Sequence, residues 1–157
     1  MELKTKIDAE EGRPDLVITR EFDLPVELVF KAYTEKEFLE QWMNTKMVKL
    51  ESKSHGCYRF ETSDHKGNVV VKANGAIHSV DPNRKIVRTF EMENAPFGIQ
   101  LEILDFVGLT AGTSRLTIHT IYESVEKRDL LMQLPFKQGI NMAHSRLQDV
   151  MGKLENI

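Results

Sequence analysis

The segment that decides the fold is "LVITREFDLPVELVFKAYTEKEFLEQW", from Leu16 to Trp42. It begins with the alternation of a half-buried strand, in which Leu16, Ile18 and Phe22 share one face. Arg20 falls on that same face, so the alternation is imperfect. No residue of the segment belongs to a catalytic motif, and it therefore predicts architecture and no chemistry.

After this strand the hydrophobic period changes from two to three or four. Pro25 suits the first position of a helix, where its missing N–H costs nothing. The apolar residues that follow form one stripe: Val26, Val29, Phe30 and Tyr33. Thr34 and Glu37 have the spacing of a capping box, which predicts a second short helix through Trp42. The segment thus predicts a strand followed by two short helices.

Six strand-like runs come next, separated by short turn sequences. They are "MVKLES", "CYRFETS", "VVVKANGAIHSV", "KIVRTFEM", "IQLEILDFV" and "TSRLTIHTIY". Neighbouring strands with such short connections must be antiparallel, because parallel pairs need long crossovers. Gly75, inside the third run, indicates a bulge or bend that would help to curl the sheet.

A helical region ends the chain. Ser124 can cap a short helix, and Pro135 ends or kinks it. Beyond Pro135, apolar residues recur every three or four positions: Phe136, Ile140, Ala143, Leu147, Val150 and Leu154. This single stripe predicts a helix of about five turns that covers the apolar face of the sheet.

The pattern as a whole predicts an α+β fold. A curved seven-stranded antiparallel sheet would wrap around a long C-terminal helix, with two short helices after the first strand. Residues 15–157 form a single domain in this interpretation. Residues 1–14 form an N-terminal arm, which is either an extra edge segment or flexible.

Composition excludes several function classes. The formal net charge of −3 argues against nucleic-acid binding, which needs a concentrated positive face. No apolar run approaches the roughly 20 residues needed to insert into a membrane. The N-terminus lacks the apolar core of a secretory signal, and Cys57 is the only cysteine. We therefore expect a cytoplasmic protein.

The five histidines show no metal-binding spacing, and no pair of acids has a spacing that demands a shared site. His119 is expected to point to solvent if Leu116 and Ile118 face the core. We accordingly expect no metal, no cofactor and no catalytic residue, with Cys57 acting as a small strand residue.

A curved sheet that closes on one helix can leave a gap, which is a natural small-molecule cavity. The residues expected to line it are Tyr58, Phe60, Tyr122, Ile140 and Leu147. Buried tyrosine hydroxyls need partners, so Tyr58 and Tyr122 are candidates for orienting a ligand. Trp42 either packs the helical pair against the sheet or contributes to the rim of the cavity.

The sequence resembles a known family in several motifs. They are "ITREFDLP" (18–25), "ELVF" (27–30), Thr34 to Glu37, Gln41-Trp42, the strand from Gly56 to Phe60, the run from Gly75 to Pro82, and "GTSRLTIHT" (112–120). These motifs resemble the START/Bet v 1-like (SRPBCC) superfamily, and most closely the bacterial proteins similar to Aha-type activators of the heat-shock-protein-90 ATPase. Met43 and Gly139-Ile140 depart from that family, which often has tryptophan at Met43 and Ile140.

The resemblance implies a helix-grip fold and the binding of a lipid-, polyketide- or flavonoid-like molecule. It also implies two alternatives. One is a protein-interaction module similar to a chaperone-ATPase activator, acting on a protein partner or as a homodimer. This is less favoured, because the eukaryotic activators carry a separate N-terminal chaperone-binding domain and little sequence precedes Asp15. The other alternative is a cyclase- or dehydrase-like enzyme, which would need a polar residue deep in the cavity.

Overall fold

The computed structural model describes residues 3–155, and the side chain of Glu155 is outside this description. The described residues contain eight strands and four helices. In chain order they are β1 (Lys6–Asp8), β2 (Asp15–Phe22), α1 (Val26–Thr34), α2 (Lys36–Met43), β3 (Lys46–Leu50), β4 (Cys57–Ser63), β5 (Val69–Asp81), β6 (Lys85–Met92), β7 (Ile99–Thr110), β8 (Thr113–Ile121), α3 (Val125–Met132) and α4 (Phe136–Glu155).

One antiparallel sheet contains all eight strands, in the order β1-β2-β8-β7-β6-β5-β4-β3. The predicted α+β helix-grip architecture is confirmed, but the sheet has one strand more than predicted. The additional strand, β1, belongs to residues 1–14 and pairs with β2, with Lys6 opposite Thr19. Among residues 3–155, no helix has both the length and the apolar character needed to cross a membrane.

Helix α4 packs against the concave face of the sheet. Leu147 and Met151 are completely buried on it, and each such side chain stabilises the fold by roughly 1.5–3 kcal/mol. The guanidinium Nε of Arg146 donates a hydrogen bond to the Trp42 carbonyl at 2.9 Å, which ties α4 to α2. The C-terminal helix therefore has one face in the core and the two short helices at its side.

The junction of α1 and α2 differs from the predicted capping box. Thr34 closes α1, and its hydroxyl donates to the Phe30 carbonyl at 3.1 Å. Helix α2 begins at Lys36, and its preceding residue, Glu35, makes no side-chain capping bond. The prediction of a Thr34–Glu37 box was wrong because the threonine is already bonded one turn back. The predicted cap of α3 is confirmed, since the Ser124 hydroxyl accepts from the Lys127 N–H at 3.2 Å.

The pairing of β5 with β6 is interrupted at Gly75. Tyr58 lies directly opposite Gly75 and its hydroxyl donates to the Thr89 carbonyl on β6 at 2.6 Å. The Ala76 N–H in turn donates to the Thr89 hydroxyl at 3.0 Å, in place of a backbone carbonyl. The β5–β6 ladder is therefore open here, and the ring of Tyr58 occupies the space that a side chain at position 75 would need.

Substituting Gly75 with alanine should destabilise the protein. A Cβ at this position would overlap the Thr89 carbonyl and the Tyr58 ring, and such overpacking costs typically about 1–3 kcal/mol. The free energy of unfolding measured in urea checks this. Gly139→Ala is the matched control, because Gly139 lies in α4 with open space around it and alanine favours a helix by up to about 1 kcal/mol. Equal effects of the two substitutions would contradict the role assigned to Gly75.

Candidate ligand-binding site

A cavity of about 240 Å³ lies between the concave face of the sheet and α4. Most of its wall is apolar, and the apolar residues come from both layers and from the paired helices. They include Leu39, Trp42 and Met43 of α2, Phe60 and Phe90 of the sheet, and Phe136 and Ile140 of α4. The sheet curvature keeps the two layers apart at this point, and the gap is the cavity.

A polar row crosses the floor of the cavity. Arg88 on β6 lies opposite Glu102 on β7, and Glu102 lies opposite Thr120 on β8. All three side chains line the cavity. Arg88 Nε donates to Glu102 Oε1 at 2.8 Å, and the two side chains are only 18% and 13% exposed. The floor therefore holds a largely buried ion pair beneath a mostly apolar wall.

Two tyrosines enclose the Arg88 guanidinium. Its central carbon lies 5.1 Å from the ring centroid of Tyr58 and 5.8 Å from that of Tyr33, within cation–π range. Burial alone would lower the pKa of Arg88, but Tyr58 and the carboxylate of Glu102 together raise it above its usual value. Burial likewise raises the pKa of both tyrosines. Arg88 is thus a cation and its tyrosine neighbours are neutral at any physiological pH.

The contacts of this pair leave one side of the guanidinium open. Gln100 Nε2 donates to Glu102 Oε2 at 2.9 Å, so both carboxylate oxygens of Glu102 already accept a hydrogen bond. Within residues 3–155, neither Nη atom of Arg88 has a hydrogen-bond partner, and both retain accessible surface. These two nitrogens are the unused donors of the cavity floor.

A second polar cluster, centred on His144 of α4, lies at the edge of the cavity. His144 is buried, and its ring nitrogens contact the Thr5 hydroxyl at 2.8 Å and the Tyr33 hydroxyl at 3.3 Å. Arg20 Nη1 donates to Asn141 Oδ1 at 3.0 Å, and Asn141 Oδ1 also accepts from the Thr5 N–H. Burial and the nearby Arg20 cation lower the pKa of His144 to about 3. The cluster explains why Arg20 breaks the alternation of β2: it is a core residue with polar partners.

Four of the six residues predicted to line a cavity do line it: Trp42, Tyr58, Phe60 and Ile140. Trp42 also packs the helical pair, because its indole N–H donates to the Ala32 carbonyl at 2.8 Å and its ring lies 4.9 Å from that of Tyr33. The hydroxyl of Tyr58 donates to the Thr89 carbonyl, which leaves the ring as the part of this residue that is free to form cavity wall.

Tyr122 and Leu147, the other two predicted residues, are not among those that line this cavity. Leu147 is fully buried in the core. Tyr122 follows β8 near the Pro14 carbonyl, to which its N–H donates at 2.8 Å. Its hydroxyl is buried with no partner among residues 3–155, and burial raises its pKa.

The sequence interpretation missed Arg88, Gln100, Glu102 and His144 as cavity residues. The alternation of the strands contained a signal for the first three. Arg88 alternates with Ile86 and Phe90, so its side chain falls on the inward face of β6. Gln100 and Glu102 alternate with Leu104 in the same way on β7. His119 points outward as predicted, with its ring bonded to Asp15 at 2.7 Å. No group of three potential metal ligands comes together in the described part of the chain.

The bent antiparallel sheet, the long covering helix and the cavity between them define a helix-grip protein of the START/Bet v 1-like class. Residues 23–152 match the family described as activator of Hsp90 ATPase homolog 1-like protein, and the chain belongs to this family. A search of curated proteins found no match.

Several solved structures are similar to the chain. Protein Ms6760 from Mycobacterium smegmatis is 18% identical, with 94% of this chain and 96% of that chain covered and a TM-score of 0.82. A protein from Rhodobacter sphaeroides is 17% identical, with 96% and 99% covered and a TM-score of 0.85. A protein from Arthrobacter aurescens is 17% identical, with 94% and 91% covered and a TM-score of 0.84. At these identities the likeness shows the fold alone.

The lowered pKa of His144 predicts a pH-dependent stability. The unfolded chain takes up a proton on this residue below about pH 6.5, whereas the folded protein does so only near pH 3. Stability should therefore fall as the pH drops from 6.5 to 5, by up to about 1.4 kcal/mol per pH unit. Urea unfolding at a series of pH values measures this slope.

His144→Gln should flatten the slope in this window, because glutamine takes up no proton. His65→Gln is the control, since His65 is exposed in a turn and should leave the slope unchanged. If the stability of His144→Gln fell with decreasing pH as steeply as that of the unmodified protein, the lowered pKa of His144 would be contradicted.

Proposed function

We propose that this protein binds a small apolar molecule in the cavity between its sheet and α4. The observation that carries the proposal is the mostly apolar wall with a few polar groups in its floor, which is the usual composition of a small-molecule site. The family membership and the START/Bet v 1-like architecture support the same function.

The size of the cavity limits the ligand. Its volume of about 240 Å³ is slightly below the range of roughly 300–1,000 Å³ typical of drug-sized ligands. A second hollow of about 190 Å³ adjoins it and shares Phe90, Gln100, Glu102 and Phe136 with it. A compact molecule of one or two rings fits the first cavity, and a longer chain would reach the second.

A ligand screen by thermal shift tests the proposal. Lipids, flavonoids and small aromatic compounds should include at least one that raises the melting temperature, because a ligand at 100 times its Kd stabilises a protein by about 2.7 kcal/mol. NMR titration of the methyl groups of Ile140 and Met43 then places the ligand. A screen with no compound that binds more tightly than millimolar would overturn the proposal.

Ala143→Leu should weaken this binding at least tenfold, because Ala143 lines the cavity and a larger side chain fills part of it. Met142→Leu is the control on the same helix, since Met142 is 59% exposed and directed away from the core. Equal affinities for the two variants would place the ligand elsewhere.

The competing proposal comes from the family description, which names activation of a chaperone ATPase. A steady-state ATPase assay with a bacterial Hsp90 homologue separates the two. The binding proposal expects unchanged turnover at a large excess of this protein, with and without a ligand from the screen. An increase in turnover that persists in Ala143→Leu would favour the protein-interaction function.

A further inference from the structure

The cavity floor carries more information about the ligand than its apolar wall does. Two of the residues that line the cavity, Arg88 and Glu102, form an ion pair. His144 also lines the cavity, but its two nitrogens are already hydrogen-bonded and burial keeps it neutral. The formal charges of the floor therefore cancel before any ligand enters.

Arg88 and Glu102 differ in the hydrogen bonds that they can still make to a ligand. Glu102 accepts one hydrogen bond on each oxygen, from Arg88 and from Gln100. Arg88 uses only Nε, and its two Nη groups have no partner among residues 3–155 although both are accessible. Unpaired guanidinium donors in an apolar enclosure favour a ligand that supplies an acceptor oxygen.

The position of the guanidinium is restricted on several sides. The rings of Tyr33 and Tyr58 lie within 6 Å of it, and the bond to Glu102 holds Nε. Tyr58 is itself held by its hydroxyl bond to the Thr89 carbonyl. The donors are therefore pre-positioned, which reduces the entropy lost when an acceptor binds.

Charge balance then decides which acceptor fits. A carboxylate ligand would bring a second negative charge close to Glu102 with only one cation available, and an uncompensated charge is expensive in an apolar cavity. A carbonyl oxygen satisfies the same donors and leaves the cavity neutral.

We propose that the ligand is an uncharged apolar molecule with a carbonyl group, such as an aromatic ketone, and that Arg88 binds its carbonyl oxygen through the Nη groups. This inference rests on the proposed function, since it identifies the chemical class of the molecule in the same cavity. Arg88 is a binding residue in this arrangement, and Glu102 and Gln100 are its positioning residues.

Three probes of similar shape test it at pH 7.5: benzophenone, diphenylmethane and diphenylacetate. Isothermal titration should show benzophenone binding about tenfold or more tightly than diphenylmethane, because a hydrogen bond to a charged group is worth that factor or more. Diphenylacetate, which is ionised at this pH, should bind more weakly than benzophenone.

The matched variant is Arg88→Met with Glu102→Gln. The double substitution removes the donors and leaves no unpaired carboxylate in the cavity, so it tests the anchor without orphaning a charge. The preference for benzophenone over diphenylmethane should disappear in it, whereas binding of diphenylmethane should be retained.

An infrared measurement tests the same bond in the unmodified protein. The C=O stretch of ¹³C-carbonyl benzophenone should shift to lower frequency on binding, relative to its value in an apolar solvent. An unshifted band would overturn the proposal even if the double variant fails to fold.

The outcomes separate the two proposals. Equal affinity for benzophenone and diphenylmethane would overturn the Arg88 anchor and leave apolar ligand binding standing. Tightest binding of diphenylacetate would overturn the uncharged class in favour of an acid. Failure of all three probes to bind would count against both proposals.

Discussion

The structure depends on how one helix covers a sheet of eight strands. A flat sheet of this width would leave much of its apolar face in water, so the sheet has to bend around α4. The β5–β6 ladder is open where Gly75 has no side chain and the Tyr58 ring crosses to the Thr89 carbonyl. The cavity lies between this sheet and the helix that covers it.

The cavity combines an apolar wall and a polar floor, whose contributions to free energy have different physical origins. Its apolar wall gains free energy in proportion to the area that a ligand covers, with little demand on geometry. Its floor contains a largely buried ion pair, whose two charges are stabilised only while they remain together. For the proposed ligand, the wall would therefore set its size and apolar character, and the floor would set its orientation.

Much of the fold was predictable because its determinants are local. A short stretch of sequence is enough to recognise each of them: the period change at Pro25, the turns between the six strands, and the apolar stripe of α4. For residues 1–14 the sequence left an extra edge segment and a flexible arm as alternatives, because the three residues of β1, which pair only with β2, have no pattern of their own. The prediction of a capping box at Thr34 was wrong because the Thr34 hydroxyl donates to the Phe30 carbonyl.

The candidate site was less predictable, because it depends on the register between strands. Tyr58 and Phe60 follow from the alternation of one strand. Arg88 and Glu102 each lie on the inward phase of their own strand, but their pairing becomes visible only when β6 and β7 are aligned. His144 is a further example, since its partner Thr5 is 139 residues away in the chain.

The ion pair of the floor has a consequence for how this protein can change during evolution. Loss of either Arg88 or Glu102 alone leaves a buried charge without a partner, which typically costs about 3–5 kcal/mol and is comparable to the stability of a small domain. The pair can thus be replaced only by two coordinated substitutions. Apolar wall positions such as Met43 and Ile140 tolerate exchange for residues of similar volume at much lower cost. If the cavity binds a ligand as proposed, the shape of that ligand could consequently change by single substitutions, whereas a change in its polar group would need two.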